Sequence, residues 1–381
     1  MKYLKLFFAL SVILFTSCAI DDPIKARNST VSRLYKQGTV KIALANSFVQ
    51  NKSKMWEAAV LAQEKINREQ LCHAKLEIIK YDDGGSQISG TKTAYEIASH
   101  NDICAVIGHG YSDISMPCSL IYQYYGILTF NYISTVHGLT EKNNPFIFSN
   151  MPNDNDYGEA IANLCGKNKY KSVLIYYLEN TSGTSLSNAF ELNCNNYGID
   201  VVNRESFDLS TTAKAIDTSV KRWKNNFVFD AVFIAGRMPI IQDIITIMRE
   251  NGVDCPIVGA DPFDDPLLTE NLDSSENGRI FAFSNFNVST KNIKFRDFYV
   301  SFTQKYGYEP DQEALQVYDA LLVLAKAIAL ADTPVPSRVA EILHSRLWFE
   351  AAGPYSFWPN GAIRGRELTV KVFNNGKFEE F

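Results

Sequence analysis

The sequence predicts an α/β protein made of two consecutive units, each with a parallel sheet. Short apolar runs without alternation, such as residues 104–107 and 127–130, are typical of strands that are buried on both faces. These runs alternate with stretches of helical spacing, first over about 39–149 and again from about 154 onward. The chain has 381 residues, and this length favours two folding units over a single core.

In the first unit, strands and helices alternate in a pattern that requires parallel strands joined by right-handed crossovers. Pro117 is tolerated only in a first helical turn, so we expect the third helix to begin just before it and to end at Gly126. The predicted strands are 40–45, 75–81, 104–107 and 127–130, and 146–149 is either a further strand or a crossing segment. The first two predicted helices are 55–67 and 88–99.

The second unit repeats the alternation, and a group of late elements follows it. Asn360-Gly361 and Asn375-Gly376 lie between apolar or alternating runs and predict two hairpins. We expect the late elements to complete the two units, with a third small domain as the alternative. The predicted strands are 172–177, 200–206, 230–235, 256–259 and 278–283, and the predicted helices are 154–164, 185–196, 213–223, 240–251, 294–306, 312–331 and 337–345.

Polar residues follow two neighbouring strands of the first unit. Ser112 comes after the strand at 104–107, and Ser134-Thr135 come after the strand at 127–130. Ligands bind outside the carboxyl ends of strands in open α/β sheets, and free N–H groups at a helix start favour an anion such as a carboxylate. The alternative is purely structural: Ser112, Asp113 or Ser115 only caps the following helix.

The N-terminus reads as a secretory signal rather than as part of the fold. Lys2 and Lys5 precede an apolar core at 6–15 that is too short to span a bilayer. The small residue before Cys18 resembles a bacterial lipoprotein signal, although Phe15 stands where Leu is usual. We therefore predict a signal peptide over 1–17, acylation of Cys18 and an irregular tether over 18–38; a plainly cleaved signal and an uncleaved anchor are the alternatives.

Composition and motifs exclude several classes of function. The net charge is −5 and no block rich in Lys or Arg occurs, which argues against nucleic-acid binding. The sequence lacks the common nucleotide-binding and hydrolase motifs, so we predict no enzyme activity and no cofactor. A nucleophilic Ser112 assisted by a histidine, of which only His109 and His137 are predicted near the cleft, is the remaining catalytic hypothesis. Asp82-Asp83 is too small a set of oxygen ligands for a metal site.

Six cysteines remain after Cys18, and their long spacings do not suggest zinc or a redox motif. Export would allow disulfides. Cys72 and Cys104 are predicted at the same end of the first sheet, and Cys165 and Cys194 on successive helices, so each pair is a candidate disulfide.

Several short motifs resemble those of the type 1 periplasmic substrate-binding proteins, in particular the branched-chain amino-acid (Leu/Ile/Val)-binding family of ABC transporters. The resemblance extends from about residue 40 to 381. It implies two Rossmann-like lobes joined by a three-segment hinge, with crossings near Ser149, Gly278 and Gly353. The implied lobes are 39–149 with 280–350, and 150–279 with 351–381. The motifs are Tyr81-Asp82-Asp83, Ile107-Gly108-His109, Gly126-Ile127, Leu139-Thr140, Asp230-Ala231-Val232-Phe233, Ile257-Val258-Gly259 and Asn375-Gly376-Lys377-Phe378.

The resemblance also implies ligand contacts. Ser112 matches the serine that holds the ligand carboxylate, Ser134 matches a backbone contact, and Thr135 matches a threonine that contacts polar ligand groups. Asp261 matches an acidic residue that pairs with the ligand ammonium group. Tyr111, next to Ser112, is a further predicted ligand contact.

Three departures from the family pattern, at four positions, each remove aromatic side chains from the implied lining. Asn51 stands at an aromatic position, Ser182 stands where tyrosine is frequent, and Arg237-Met238 replace a tyrosine pair. Asn51 and Arg237 are therefore predicted ligand contacts of a more polar kind. Arg237 suggests a ligand with a second acidic group, unless its side chain points to solvent or to Asp243.

The resemblance implies an extracytoplasmic lipoprotein that captures an amino acid or a similar small polar solute by hinge closure and delivers it to an ABC permease. The expected protein is a monomer that contacts the membrane only through a lipid anchor. The alternative function is a ligand-sensing or protein-partner-binding module of the same fold that is not coupled to transport.

Overall fold

The computed structural model describes residues 22–48, 54–141, 144–285 and 292–381. Two lobes are built around two main sheets: a five-stranded sheet in the first lobe and a seven-stranded sheet in the second. A separate three-stranded sheet packs on the first lobe. This confirms the predicted α/β class with parallel sheets.

The first lobe begins with a helix and then alternates strands and helices. Its strands are parallel and lie in the order β2-β1-β3-β4-β5. The strand order reverses between β1 and β3, where the crevice outside the strand ends is available to a ligand. The elements are α1 Pro23–Lys36, β1 Thr39–Asn46, α2 Met55–Glu69, β2 Lys75–Asp82, α3 Gln87–Ser99, β3 Ile103–Gly108, α4 Ser112–Tyr124, β4 Leu128–Asn131, α5 Gly138–Glu141 and β5 Ile147–Ser149.

The second lobe is built in the same way. Its parallel strands run in the order β7-β6-β8-β9-β10. The elements are α6 Asp154–Lys167, β6 Ser172–Leu178, α7 Thr181–Cys194, β7 Asp200–Phe207, α8 Ala213–Asn226, β8 Ala231–Ala235, α9 Ile240–Glu250, β9 Ile257–Gly259, α10 Pro266–Thr269 and β10 Ile280–Ser284, with 3₁₀ turns at Asn195–Tyr197, Asp261–Phe263 and Ser274–Glu276.

The late elements are divided between the two lobes. The last two strands extend the second sheet in antiparallel fashion beside β10, while the others pack against the first lobe. These elements are α11 Ile293–Tyr306, α12 Gln312–Ala331, α13 Pro336–His344, β11 Trp348–Glu350, β12 Gly353–Phe357, β13 Ile363–Arg364, β14 Thr369–Asn374 and β15 Lys377–Glu380.

The strand pairing corrects the last two predicted crossings between the lobes. The first crossing follows Ser149, because β5 lies in the first sheet and α6 packs in the second lobe. The predicted second crossing near Gly278 precedes β10, yet β10 pairs with β9 and β14. The predicted third crossing near Gly353 precedes β12, whose Tyr355 and Phe357 are in the first-lobe core. Both crossings therefore lie one or more strands later in the chain.

Helix α1 replaces most of the predicted irregular tether. The Arg27 side chain is fully buried, and its guanidinium group donates hydrogen bonds to four backbone carbonyl oxygens, those of Ala98, His100, Ile103 and Tyr125. Three of these carbonyls lie at or next to the C-terminal ends of α3 and α4, where helices leave such groups unpaired. Arg27, together with Val31 in the first-lobe core, thus attaches α1 to the first lobe.

Helix α12 forms the centre of the first lobe. It is the one helix within the described ranges that is long and apolar enough to cross a membrane by length and composition, and 78% of its apolar window is buried inside the protein. It packs against α2, α13 and β11. Burial on nearly all sides explains its continuous apolar sequence.

The six cysteines of the described residues are free thiols, so neither predicted disulfide is present. The Cys104 thiol donates to the carbonyl oxygen of Lys41 at 3.3 Å. Cys165 and Cys194 are both buried in the core of the second lobe. These thiols fill apolar space, which is the common role of buried free cysteine. Cys18 lies outside the described residues.

Candidate functional site

A cleft of about 680 Å³ lies between the two lobes. It opens at the carboxyl ends of β3 and β4 on one side and of β6, β8 and β9 on the other. Six of the seven predicted ligand contacts line it, and the seventh, Asn51, lies outside the described residues. The six are Tyr111, Ser112, Ser134, Thr135, Arg237 and Asp261.

A close approach of two strands shapes the first-lobe wall of the cleft. Gly108, at the end of β3, has φ +152°. A Cβ atom there would lie 2.4 Å from the carbonyl oxygen of Ala45 in β1, and one at Gly110 would lie 2.1 Å from Oδ1 of Asn46. Only glycine allows this spacing. The chain can therefore turn directly from β3 into α4 at the cleft.

Ser112 is the first residue of α4 and is not its cap. Tyr111 occupies the cap position and provides no side-chain hydrogen bond to the helix. The Ser112 hydroxyl instead contacts the Ser134 hydroxyl at 2.8 Å. The capping interpretation of Ser112, Asp113 and Ser115 was thus wrong. Pro117 lies in the second turn rather than the first.

The position of Ser134 is set by the side chain of Asn131 at the end of β4. The Ser134 N–H donates to Asn131 Oδ1 at 2.9 Å, and Asn131 Nδ2 donates to the Ser134 carbonyl oxygen at 2.6 Å. Asn131 Nδ2 also contacts the Ser149 hydroxyl at 2.8 Å. Because the Ser134 N–H is already used, its backbone offers a ligand only the second lone pair of the carbonyl oxygen.

Two neighbouring buried carboxylates, those of Asp154 and Asp261, line the cleft. Asp261 follows β9, and Asp154 begins α6, directly after the first crossing. Burial raises the pKa of Asp154 to about 6, and the neighbouring hydroxyls of Thr135 and Ser185 partly oppose this rise. Burial, and then the nearby charge of Asp154, raise the pKa of Asp261 to about 7. A cation between them would be strongly favoured.

Sequence analysis missed Asp154. The residue was interpreted only as the start of a helix, where acidic residues are common. Its backbone N–H donates to the carbonyl oxygen of Thr135 at 2.7 Å, which ties it to a predicted ligand contact. Its position directly after a predicted crossing between lobes was the one available signal.

Arg237 reaches across the cleft from the second lobe to the first. The carbon of its guanidinium group lies 5.0 Å from the centroid of the Tyr111 ring, a cation–π distance. Within the described ranges it forms no ion pair, and Asp243 is exposed on α9. In this structure the half-buried Arg237 side chain contacts Tyr111 and forms no ion pair with Asp243.

His109 lies behind the cleft wall rather than beside Ser112. Its Nδ1 lies 2.8 Å from Oδ2 of Asp83, and its Nε2 lies 2.9 Å from the Tyr122 hydroxyl. The side chains of His109 and Asp83 are buried. Both ring nitrogens are occupied, so His109 does not assist Ser112 as a base. In the part of the chain that the structure describes, no group of acidic, histidine or cysteine side chains is arranged to hold a metal ion.

Comparison with known families identifies the chain. Residues 54–348 match the family model described as "Receptor family ligand binding region". The chain belongs to this family. The match covers most of both lobes and includes all six cleft residues named above, so the cleft lies within the family's ligand-binding region.

Relatives of this receptor ligand-binding family include bacterial amino-acid-binding proteins. The "Amino acid binding protein" of Pseudomonas aeruginosa is 24% identical over 334 residues, which cover 85% of this chain and 87% of the relative. The "Leu/Ile/Val-binding protein" of Escherichia coli strain K12 is 25% identical over 299 residues, which cover 78% and 79%. A solved ABC transporter substrate-binding protein from Desulfitobacterium hafniense, in complex with Leu, is 26% identical with a TM-score of 0.79 and covers 90% of this chain and 100% of its own.

Proposed function

We propose that this protein is an extracytoplasmic solute-binding lipoprotein that captures an amino acid, or a similar small polar solute, between its lobes and delivers it to an ABC permease. The observation that carries the proposal is that one cleft contains both groups that can bind an anion and groups that can bind a cation. Hydroxyls and a helix start lie at Ser112 and Ser134, and two carboxylates lie at Asp154 and Asp261. A zwitterion matches both.

The ligand α-carboxylate is assigned to the start of α4. The first N–H groups of a helix have no partner within it, and the helix dipole favours an anion there. The Ser112 and Ser134 hydroxyls lie 2.8 Å apart, so each can rotate to donate to a carboxylate oxygen. Binding thus replaces one weak hydroxyl pair by charge-assisted hydrogen bonds.

The ligand ammonium group is assigned to Asp154 and Asp261. Their raised pKa values reflect two carboxylates that are buried near one another without a cation. An ammonium ion supplies that cation and has three donors. Thr135 lies beside Asp154 and contributes its hydroxyl group to the same end of the site.

The proposed location rests on the N-terminal sequence. A leader over 1–17 directs export, and acylation of Cys18 anchors the protein to the membrane. The permease partner is suggested by the solved ABC transporter substrate-binding protein with the same fold. The protein acts as a monomer, and its only membrane contact is the anchor. No catalytic step is included, because the hydroxyl of Ser112 contacts Ser134 and not a base.

A second candidate function is ligand sensing without transport. The observation that favours it is the description of the matched family, which is a receptor ligand-binding region. The same closed cleft would then present its surface to a membrane sensor or to an enzyme partner. Reconstitution with a permease separates the two functions, because only the first requires stimulation of solute uptake.

The test is a thermal-shift and titration screen of the chain from Ala19 onward, which keeps every described residue, against the standard L-amino acids. A ligand at a hundredfold excess over its Kd stabilises the folded state by about 2.7 kcal/mol. We expect a shift with an α-amino acid that is lost in Ser112→Ala and Asp261→Ala but kept in Ser337→Ala, where the serine is exposed on α13. No shift with any amino acid would contradict the proposal.

A further inference from the structure

Arg237 is an uncommitted cation in a cleft that is otherwise acidic. The described lining includes seven acidic residues but only two basic ones, Lys54 and Arg237. Lys54 donates through Nζ to the carbonyl oxygen of Glu309 at 2.6 Å, and through its backbone N–H to Asp311 at 2.9 Å. Arg237 contacts Tyr111 and, within the described ranges, no carboxylate.

The Tyr111 ring controls which donors of Arg237 are available. A guanidinium group that lies over an aromatic face keeps its N–H groups at its own edge, in the plane of the group. Such an edge matches the two oxygens of a carboxylate in a bidentate arrangement. The stacking contact therefore orients Arg237 without using its hydrogen-bonding capacity.

Arg237 lies toward a different end of the cleft from the carboxylate pair. A second cavity of about 320 Å³ adjoins the cleft, and its lining includes Arg237, Tyr111 and Asp113 but not Asp154 or Asp261. This cavity provides space beside Arg237 for the side chain of a ligand whose ammonium group is held by the carboxylate pair.

Three acidic residues, Asp113, Glu179 and Asp208, also line this second cavity. Asp113 accepts a hydrogen bond from the Thr181 N–H at 2.9 Å. Asp208 accepts from the N–H and hydroxyl of Ser210 at 2.7 and 2.6 Å. These bonds use the Oδ1 atom of each aspartate. Arg237 is the one basic residue among the described residues that line this second cavity, so it is the group there that can bind a carboxylate.

We propose that Arg237 determines specificity by binding a second carboxylate at the far end of the ligand, so that the ligand is an α-amino acid with an acidic side chain. The inference rests on the proposed function, since it requires that the α-amino acid end be held by Ser112, Asp154 and Asp261. A neutral, apolar ligand would leave the Arg237 guanidinium group without a carboxylate partner.

The experiment compares isosteric ligand pairs by isothermal titration calorimetry. L-glutamate and L-glutamine, and likewise L-aspartate and L-asparagine, differ in side-chain charge but hardly in size. We expect the better acidic ligand to bind about tenfold or more tightly than its amide, because a charge-assisted bidentate contact is lost with the amide. Arg237→Gln should abolish that preference, and Arg237→Lys should keep part of it.

The matched control is Arg279→Gln, which removes the same charge from an exposed position of the second lobe. It should retain the preference for the acidic ligand. Equal melting temperatures of the two variants and the parent would show that Arg237→Gln still folds, since Arg237 forms no ion pair within the described ranges.

Two results would overturn the inference, and they are distinguishable. Tight, Ser112-dependent binding of neutral amino acids with no preference for the acidic partner would reject the role of Arg237 and leave the proposed function in place. An equal loss of glutamate and glutamine affinity in Arg237→Gln would reject it in the same way. Failure of every amino acid to bind would reject both proposals.

Discussion

The side-chain carboxylate of Asp113 in the first lobe accepts a 2.9 Å hydrogen bond from the backbone N–H of Thr181 in the second lobe. Thr181 is the first residue of α7, whose initial N–H groups have no partners in their own helix. The side chain of Asn180 satisfies a second of these groups, that of Gly183, at 2.8 Å. One lobe thus supplies part of the cap for a helix of the other lobe. The bond exists only while the lobes are together.

Replacement of Asp113 should weaken ligand binding without changing any proposed ligand contact. A capping hydrogen bond contributes about 1 kcal/mol, so Asp113→Ala should raise the Kd of a bound amino acid about fivefold. Calorimetric titration measures this. The control is Asp200→Ala at an exposed position of β7. Unchanged affinity in Asp113→Ala would mean that this contact does not stabilise the closed state.

Ligand affinity should increase as the pH rises from about 5.5 to about 8. The pKa of Asp154 is raised to about 6 and that of Asp261 to about 7 in the empty cleft. An ammonium ligand requires both groups to be ionised, so binding releases protons in this window. Titrations in buffers of different ionisation enthalpy measure the release. Asp154→Asn should reduce it, whereas proton uptake on binding would contradict the assignment.

Asp319 should make the protein less stable as the pH rises. Burial raises its pKa to about 7, well above the value of about 3.9 for an unfolded aspartate. Between these values the folded state holds the proton that the unfolded state has released, so the free energy of unfolding falls with pH. Asp319→Asn keeps an acceptor for the Ala352 N–H and removes the titration. Urea melts should show the variant gaining stability relative to the parent from pH 5 to pH 8.

The corresponding control for Asp319 is Asp297→Asn on α11, which is exposed. Its difference from the parent should not change with pH over this range. If Asp319→Asn behaved in the same way, the buried carboxyl would not be protonated in the native state.

Removal of the Arg27 side chain should destabilise the first lobe. Arg27→Ala leaves four backbone carbonyls without their donor, three of them at distances of 2.7 or 2.8 Å. The loss of a buried charged donor costs about 3 kcal/mol or more. Thermal melts provide the measurement. Arg33→Ala, at an exposed position of the same helix, should change the melting temperature little; equal effects of the two substitutions would contradict this role.

All six cysteines after Cys18 should titrate as free thiols in the unfolded, unreduced protein. In the native protein the reaction should be slow, because burial raises the pKa of the Cys104 and Cys118 thiols to about 12 and lowers their access. Cys255 is half-buried and should react first. A count of four or two would instead reveal one or both of the disulfides that the sequence suggested.

Local sequence signals predicted most of the fold. Helix 312–331 was predicted with the bounds it has. The Asn375-Gly376 hairpin formed because both residues take positive φ, +50° and +81°, which the two-residue turn between β14 and β15 requires. Such features depend on neighbouring residues alone, and so they can be read from the chain.

Features that depend on distant contacts could not be read in this way. Helix α1 is mostly polar, and the largest side chain that it buries is that of Arg27. The usual apolar pattern of a core-facing helix was therefore too weak to predict it. Strand β10 is as apolar as any other strand, and only its pairing assigns it to the second sheet. The proximity of Asp154 to Asp261 likewise follows from the packing of α6 against the second sheet, next to the end of β9. The resemblance to a known family predicted Ser112 and Asp261, because it carries spatial information that composition lacks.

The docking of α1 limits how far the protein can travel from an anchor. Five peptide bonds separate Cys18 from Pro23, and a fully extended chain of that length reaches at most about 18 Å. A lipid on Cys18 would therefore hold the start of α1 within this short distance of the membrane. The first lobe would remain within about one protein diameter of the bilayer surface. Confinement to so thin a layer raises the effective concentration of the protein at a membrane partner. Because Arg27 holds α1 against the first lobe, it would then influence how often the protein meets that partner, although it does not line the cleft.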